Sequence, residues 1–429
     1  MKRTLIARAK QPGKLMIQGF VDAIRNTKHM AFVVIRDTSG SIQVTIDKAA
    51  TNQPATAAQQ LTPESTVTVI GSIQQNHNVK LGGLEIIPES IEIESLAMPL
   101  PLLPDSSIDT RLDYRWLDLR QESGRMIFQV QSAFVEAMRK FLLSDGFIEI
   151  HTPKLIGAAS ESGAEVFELD YFERKAYLAQ SPQYYKQMAM AAALERIFEI
   201  GPVFRAEKSH TRKHATEFTG LDVELSWIQS FHDVMALEEA MLAHALGELA
   251  QCYGDDIQRL FGVKLTKPTI PFPVITMSAL YAQLERRYGY RPEDSDRGDL
   301  TTEAEQLCQR FSMEAYGHEF LFVTDFAPAK RAFYHKREAG VALGYDLIWR
   351  GVEITTGAQR EHRHDILMAQ AREKGLGDDI RFYADFFRYG CPPHGGFGLG
   401  VDRMTMLILG LASLKEAMFV FRGPNRLTP

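Results

Sequence analysis

Two arginines in unusual surroundings are the residues of this chain best suited to chemistry. Arg205 opens the run Phe204-Arg205-Ala206-Glu207-Lys208-Ser209-His210-Thr211-Arg212-Lys213-His214-Ala215-Thr216-Glu217-Phe218, a polar loop rich in basic residues that closes on an aromatic. A guanidinium presents a fixed fork of donors to phosphate oxygens. An aromatic beyond such a loop can stack on a purine, and His or Glu can read its amino edge. Taken alone, the run also reads as a solvated charged hairpin. Arg403 closes His394-Gly395-Gly396-Phe397-Gly398-Leu399-Gly400-Val401-Asp402-Arg403, just ahead of the apolar segment Met404 to Leu411. Glycines there let backbone approach a ligand closely at the start of a helix. The dinucleotide spacing GxGxxG is not matched, and no βαβ repeat surrounds the run. Paired, the two arginines form guanidinium clamps for a polyphosphate.

Other candidates lie between them. Asp346 and Glu353 flank the strand-like Leu347-Ile348-Trp349-Arg350-Gly351-Val352. Mg²⁺ prefers one or two carboxylates with phosphate oxygens and water, although strand-end acids are common without a metal. Lys186 follows Gln180-Ser181-Pro182-Gln183-Tyr184-Tyr185 and opens a Met/Ala-rich helix. It either snorkels or fixes an acidic substrate. Arg360 offers a second cation soon after Glu353.

The elements that must hold these residues change character along the chain. Residues 1–97 carry short β-branched runs (Leu15–Val21, Ala31–Ile35, Ile42–Ile46, Val67–Ile70) separated by turn signals such as Thr38-Ser39-Gly40-Ser41 and Gly82-Gly83. That spacing suggests a small barrel, with the oligonucleotide-binding (OB) barrel the commonest candidate. Residues 98–122, with Pro99, Pro101 and Pro104, read as a linker. From Ser123 the period becomes helical, through Ile127, Val130, Phe134, Met138, Phe141 and Leu142. Further helices are expected over about 231–253, 301–311 and 363–374, and strands over 197–204, 220–228, 319–325 and 345–354. The fold class predicted for 123–429 is α/β (α+β), a mainly antiparallel sheet flanked by helices.

The chain's 429 residues suit two domains, and 45% hydrophobic with 24% charged residues is ordinary for a globular protein. A net charge of −6 advertises no global nucleic-acid affinity, though a local basic surface remains open. Cys252, Cys308 and Cys391 are too scattered for a disulfide framework or structural zinc, which fits a cytoplasmic location. There is no apolar run for a membrane span or signal peptide.

With these motifs in view, the chain resembles the class II aminoacyl-tRNA synthetases, and among them the aspartyl-tRNA synthetases. Gly146–Pro153 is similar to motif 1, which in the family forms the homodimer interface. Phe204–Phe218 is similar to motif 2 and Gly396–Arg403 to motif 3. The likeness extends to Arg111–Arg120, Gln180–Lys186, Arg350–Arg360 and Arg426–Pro429, so it covers nearly the whole chain. It implies ATP, Mg²⁺, L-aspartate and tRNA(Asp) as ligands. Arg205 and Arg403 would be catalytic. Glu207, His214, Phe218, Glu353 and Gly400 would join them around ATP, with Phe218 stacked on adenine. Asp346 and Glu353 would bind Mg²⁺. Lys186 and Arg360 would grip the substrate's side-chain carboxylate, with Glu165, Gln183 and Ser162 around its α-ammonium on a loop near Glu161-Ser162-Gly163. Arg25, Phe32, Arg36 and Gln43 would face the anticodon. Asparaginyl relatives keep the three motifs but lack the Gln-Ser-Pro-Gln-x-x-Lys run, so an asparaginyl enzyme or a tRNA-independent ligase paralogue is the alternative.

Several positions depart from the family pattern. About 165 residues separate Ile228 from His394, without the large bacterial insertion, as in archaeal-type forms. Asp402 replaces the usual Glu of motif 3, and Val420-Phe421-Arg422-Gly423 replaces a tail that tends to be Phe-Pro-Arg-Asp. In the barrel, Asp22 and about Asn78 stand where enzymes strict for tRNA(Asp) tend to have Trp and Lys. That departure implies charging of tRNA(Asn) as well.

Overall fold

Alternation of inward and outward side chains along short strands builds the first unit, Met1–Ser106. Its strands are β1 (Gly13–Asn26), β2 (Met30–Arg36), β3 (Ser41–Asp47), β4 (Thr66–Gln75) and β5 (Leu84–Ser95). They close into an OB-type barrel in the order β1-β2-β3-β5-β4, antiparallel except where β3 meets β5. Ile17, Val21, Val33, Ile35, Val44, Ile46, Val69 and Ile91 fill its interior. The helix Gln53–Gln60 adds Ala57 and Ala58 to that core. β5 is absent from the strand-like runs read in the sequence, because Pro88 and four glutamates interrupt its apolar signal. The computed structural model describes residues 1–103, 105–157, 166–208, 211–377 and 380–429.

The second unit spans Ser107–Pro429. Within the stretch read as linker, Ile108–Asp113 and Arg115–Asp118 are helical and belong to this unit. Arg115 is buried and donates to the carbonyls of Glu416, Met418 and Phe419, which ties the segment to the chain's tail. The strands that follow are β6 (Ile148–Glu149), β7 (Leu155–Ile156), β8 (Glu168–Tyr171), β9 (Arg174–Leu178), β10 (Arg196–Phe204) and β11 (Glu217–Ser226). After them come β12 (Val274–Thr276), β13 (Phe320–Phe326), β14 (Arg337–Glu338), β15 (Val341–Trp349), β16 (Val352–Gln359) and β17 (His394–Gly400). The main sheet runs β12-β13-β15-β16-β17-β11-β10-β6, with β14 paired to β15 off that path, and β7-β9-β8 form a small separate sheet. The main sheet is antiparallel except at its two ends, β12–β13 and β10–β6.

Two long helices cover this sheet. Glu122–Ser144 buries Met126, Ile127, Val130, Phe134, Met138 and Leu142 at helical spacing and is stopped by Asp145 and the left-handed Gly146 (φ 79°). Phe231–Phe261 starts at a Ser230/Asp233 capping box and ends at Gly262. Their buried faces form one core with the sheet. The single strand expected over 345–354 is instead a hairpin. Arg350 and Gly351 take positive φ (50° and 74°) and turn β15 into β16. Among the described residues no helix is long and apolar enough to cross a membrane.

Candidate active site and candidate RNA face

β16, β17, β11 and β10 are consecutive strands of the sheet, and side chains on and beside them line a cavity of about 230 Å³. It brings together Arg205, Glu207, His214, Phe218, Glu353, Gly400 and Arg403 with Gln183, Lys186 and Arg360. Asp346 is not in its lining. Glu165, with Glu161, Ser162 and Gly163, lies outside the described residues.

At one end the arrangement suits a polyanion. Arg205 leaves β10 with its side chain 44% exposed, its guanidinium 5.4 Å from the Phe218 ring and 3.8 Å from Glu207. Arg403 sits in the first turn of the helix Val401–Leu409, where the preceding strand's Gly400 serves as N-cap. It donates to the carbonyls of Glu353 (2.5 Å) and Lys213 (3.5 Å). Glu305, on the helix Thr302–Tyr316, ties the same two residues together. Its carboxylate accepts from Lys213 Nζ at 2.6 Å through both oxygens and from the Glu353 N–H at 3.1 Å. Burial and the nearby Arg403 cation push His214 down, which favours a neutral imidazole there.

The other end holds buried charge. Lys186, 2% exposed, lies 3.0 Å from Asp222 and 3.3 Å from Glu224. Arg360 donates to Glu224 (3.1 Å) and to the Gly396 carbonyl (2.9 Å). Burial opposes ionisation of Glu224, yet Arg360 and Lys186 beside it hold its carboxyl below the ordinary value. Gly396 makes this cluster possible, since a Cβ there would fall 2.3 Å from Glu224 Oε2. Asp222 and Glu224 were not singled out from the sequence. Their signal is two acids at a spacing of two within Leu221-Asp222-Val223-Glu224-Leu225, on one face of a buried strand, where unpaired charge is prohibitive.

The acids flanking the hairpin meet through one hydroxyl. Thr356 Oγ1 lies 2.9 Å from Asp346 and 3.3 Å from Glu353. A single proton serves only one of them at a time. Asp346 is buried and paired with Arg331 at 2.5 Å, and burial together with Glu353 pushes its carboxyl up. This hard-oxygen set fits a divalent cation, with Glu353 in the cavity wall and Asp346 behind it.

In the barrel, β2 alternates so that Phe32, Val34 and Arg36 point outward while Ala31, Val33 and Ile35 fill the core. Phe32 is thus on the outer face. Arg25 lies opposite it with its guanidinium 4.7 Å from the ring. Gln43 projects from β3 on the same side and donates to Thr45 and Glu85. Arg36 is held by Glu64 (2.5 Å) and Asp22 (3.2 Å), while its Nη1 has no partner among the described residues.

Cavity, motifs and sheet together define the class: the chain belongs to the class II tRNA synthetases (D, K and N), whose family model matches residues 107–421. An OB-fold nucleic acid binding domain matches residues 16–94. Among curated relatives, the chain is 40% identical to an aspartate–tRNA(Asp/Asn) ligase of Aeropyrum pernix, covering 97% of this chain and 96% of that one. It is 39% identical to an aspartate–tRNA(Asp) ligase of Pyrococcus abyssi at the same coverage. Among solved structures, the asparaginyl-tRNA synthetase of Pyrococcus horikoshii complexed with asparaginyl-adenylate superposes with a TM-score of 0.91. It is 30% identical, with full coverage of both chains.

Proposed function

We propose that this protein is an aspartate–tRNA ligase that activates L-aspartate with ATP and transfers it to tRNA(Asp) and tRNA(Asn). One observation carries the choice of amino acid: Lys186 and Arg360 converge at one end of a cavity whose other end holds Arg205, Phe218 and Arg403. A substrate carboxylate brought there accepts from Lys186 and Arg360, which Asp222 and Glu224 hold in place, whereas the NH₂ of asparagine's amide would face two donors. The asparaginyl reading has the superposition in its favour, but not Lys186. Pyrophosphate exchange with aspartate against asparagine decides between them, and preference for asparagine would reverse the assignment.

The substrate's α-carboxylate attacks the α-phosphorus in line, the bond to the bridging oxygen breaks, and diphosphate leaves. A hydroxyl of the terminal adenosine of tRNA then attacks the acyl carbon and AMP leaves. Arg205 spans the α-phosphate and acyl oxygens, and Phe218 stacks on the adenine, with Glu207 and His214 beside it and Gly400 leaving room. Arg403 exchanges its carbonyl partners for the terminal phosphates. Asp346 and Glu353 would hold Mg²⁺, which would supply charge neutralisation on the phosphates. Positioning and fixed charge account for the rate, so no protein nucleophile is required.

Glu305 carries a prediction here, because it clamps Lys213 to the Glu353 backbone at the nucleotide end. In Glu305→Gln, KM for ATP should rise roughly tenfold, ~1.4 kcal/mol, with kcat nearly unchanged. Exchange kinetics at varied ATP test this, and an unaltered KM would remove Glu305 from the nucleotide site.

Outward Phe32 and Gln43 on the barrel supply stacking and base-edge contacts of the kind single-stranded RNA needs. Asp22 leaves Arg36 without the bulk of a tryptophan beside it, which supports acceptance of both tRNAs. Aminoacylation of purified tRNA(Asp) and tRNA(Asn) should yield aspartyl product on each; none on tRNA(Asn) would restrict the enzyme to tRNA(Asp). A homodimer, formed through the helix Glu122–Ser144 and β6, is supported by half-exposed Leu143, which lines a groove with Phe128 and Val135, and by half-exposed Ile148 on β6.

A further inference from the structure

We propose that Gln187, His394 and Tyr383 form a positioning relay that turns the Gln183 amide so that its Oε1 meets the α-ammonium of the amino acid; this rests on the aspartate reading above. None of the three lines the cavity, and Gln187, His394 and Tyr383 are fully buried. They act only through Gln183, which does line it.

The orientation follows from one carbonyl. Pro392 O lies 2.8 Å from His394 Nδ1 and can only accept, so Nδ1 carries a hydrogen. Burial holds His394 down at about 4, so the ring is neutral and Nε2 offers a lone pair. The Gln187 side-chain atom 2.8 Å from Nε2 is therefore its NH₂ group. That turns Gln187 Oε1 the other way, where it accepts from the Tyr383 hydroxyl (2.8 Å) and from Gln183 Nε2 (2.6 Å). Gln183 has thus committed its NH₂ inside the protein. Its Oε1 has no partner among the described residues. An ammonium is a donor only, so it is matched by that oxygen and repelled by a flipped amide. A flipped amide would also set two carbonyl oxygens against each other at Gln187. The relay thus converts a fixed histidine tautomer into selection for an α-amino group.

The test compares L-aspartate with succinate, which keeps both carboxylates and lacks the ammonium, binding to the full chain by calorimetry. In Gln187→Leu, aspartate affinity should fall about 30-fold while succinate changes by less than about threefold, the loss of one charge-assisted hydrogen bond. Equal weakening of both ligands would mean a merely structural role, and unchanged aspartate affinity would also overturn the relay. Gln187→Glu covers the case in which the leucine variant does not fold. It keeps the acceptor for Gln183 and Tyr383 but faces His394 with an acceptor. Its aspartate-to-succinate preference should stay within about threefold of the unsubstituted chain, and nitrogen NMR should show His394 Nε2 protonated. Lost preference in a folded Gln187→Glu protein would overturn the proposal. Absence of aspartate-dependent exchange in the unsubstituted chain would instead defeat the functional reading itself.

Discussion

Lys186→Ala is expected to lower aspartate-dependent ATP–pyrophosphate exchange about a thousandfold, roughly 4 kcal/mol, while ATP binding is largely kept. Two effects add. The substrate's side-chain carboxylate loses one of its two cations. Asp222 and Glu224 lie 3.0 and 3.3 Å from the ammonium; without it Asp222 loses its ion pair, Glu224 keeps Arg360, and the unbalanced acid repels the incoming anion. Exchange at varied aspartate, with nucleotide binding followed by calorimetry, separates these from collapse of the cavity. Unchanged exchange kinetics would refute the role given to Lys186. Partial recovery in Lys186→Ala/Asp222→Asn would show that the stranded acid accounts for part of the loss.

Arg205 should show the next largest effect, and its character is more telling than its size. Its side chain is 44% exposed, and its nearest acid, Glu207, is 3.8 Å away, so its donors remain available. Arg205→Ala should reduce kcat roughly a thousandfold and Arg205→Lys about a hundredfold, as expected when a preorganised donor to developing charge is lost. Lysine keeps the charge but not the two-pronged fit to phosphate and acyl oxygens. Single-turnover adenylate formation would measure both, and a lysine variant with ordinary kcat would reduce Arg205 to a point charge.

Much of this was legible in the sequence because local chemistry and burial agree there. The helix from Glu122 shows its buried face as a clean spacing, and the barrel shows itself as short β-branched runs, although Met30–Ile35 is apolar throughout and does not tell its core face from its outer one. Arg205, Phe218 and Arg403 announce themselves because charge and glycine stand out against apolar strands. Other parts are silent for physical reasons. Asp346 and Glu353 look like the two ends of one strand, since nothing local reveals that Arg350 adopts a positive φ and folds the run into a hairpin. Asp222 and Glu224 are partners of residues far along the chain, Lys186 and Arg360, and only the sheet order places β11 beside β17. Gln187 has an unremarkable position in a helix until His394 and Tyr383 are packed against it.

The carboxylate of Glu224, shared by Lys186 and Arg360, also constrains how this protein could evolve. Neutralising either cation alone leaves Asp222 and Glu224 with a single cation between them, and neutralising Glu224 alone takes from Arg360 its carboxylate partner. Single substitutions on a path toward asparagine are therefore expected to cost more alone than in combination, a case of epistasis. A change of amino acid would thus call for several coupled substitutions, so the charge cluster ties this sequence to its substrate through the cost of the steps between the two solutions.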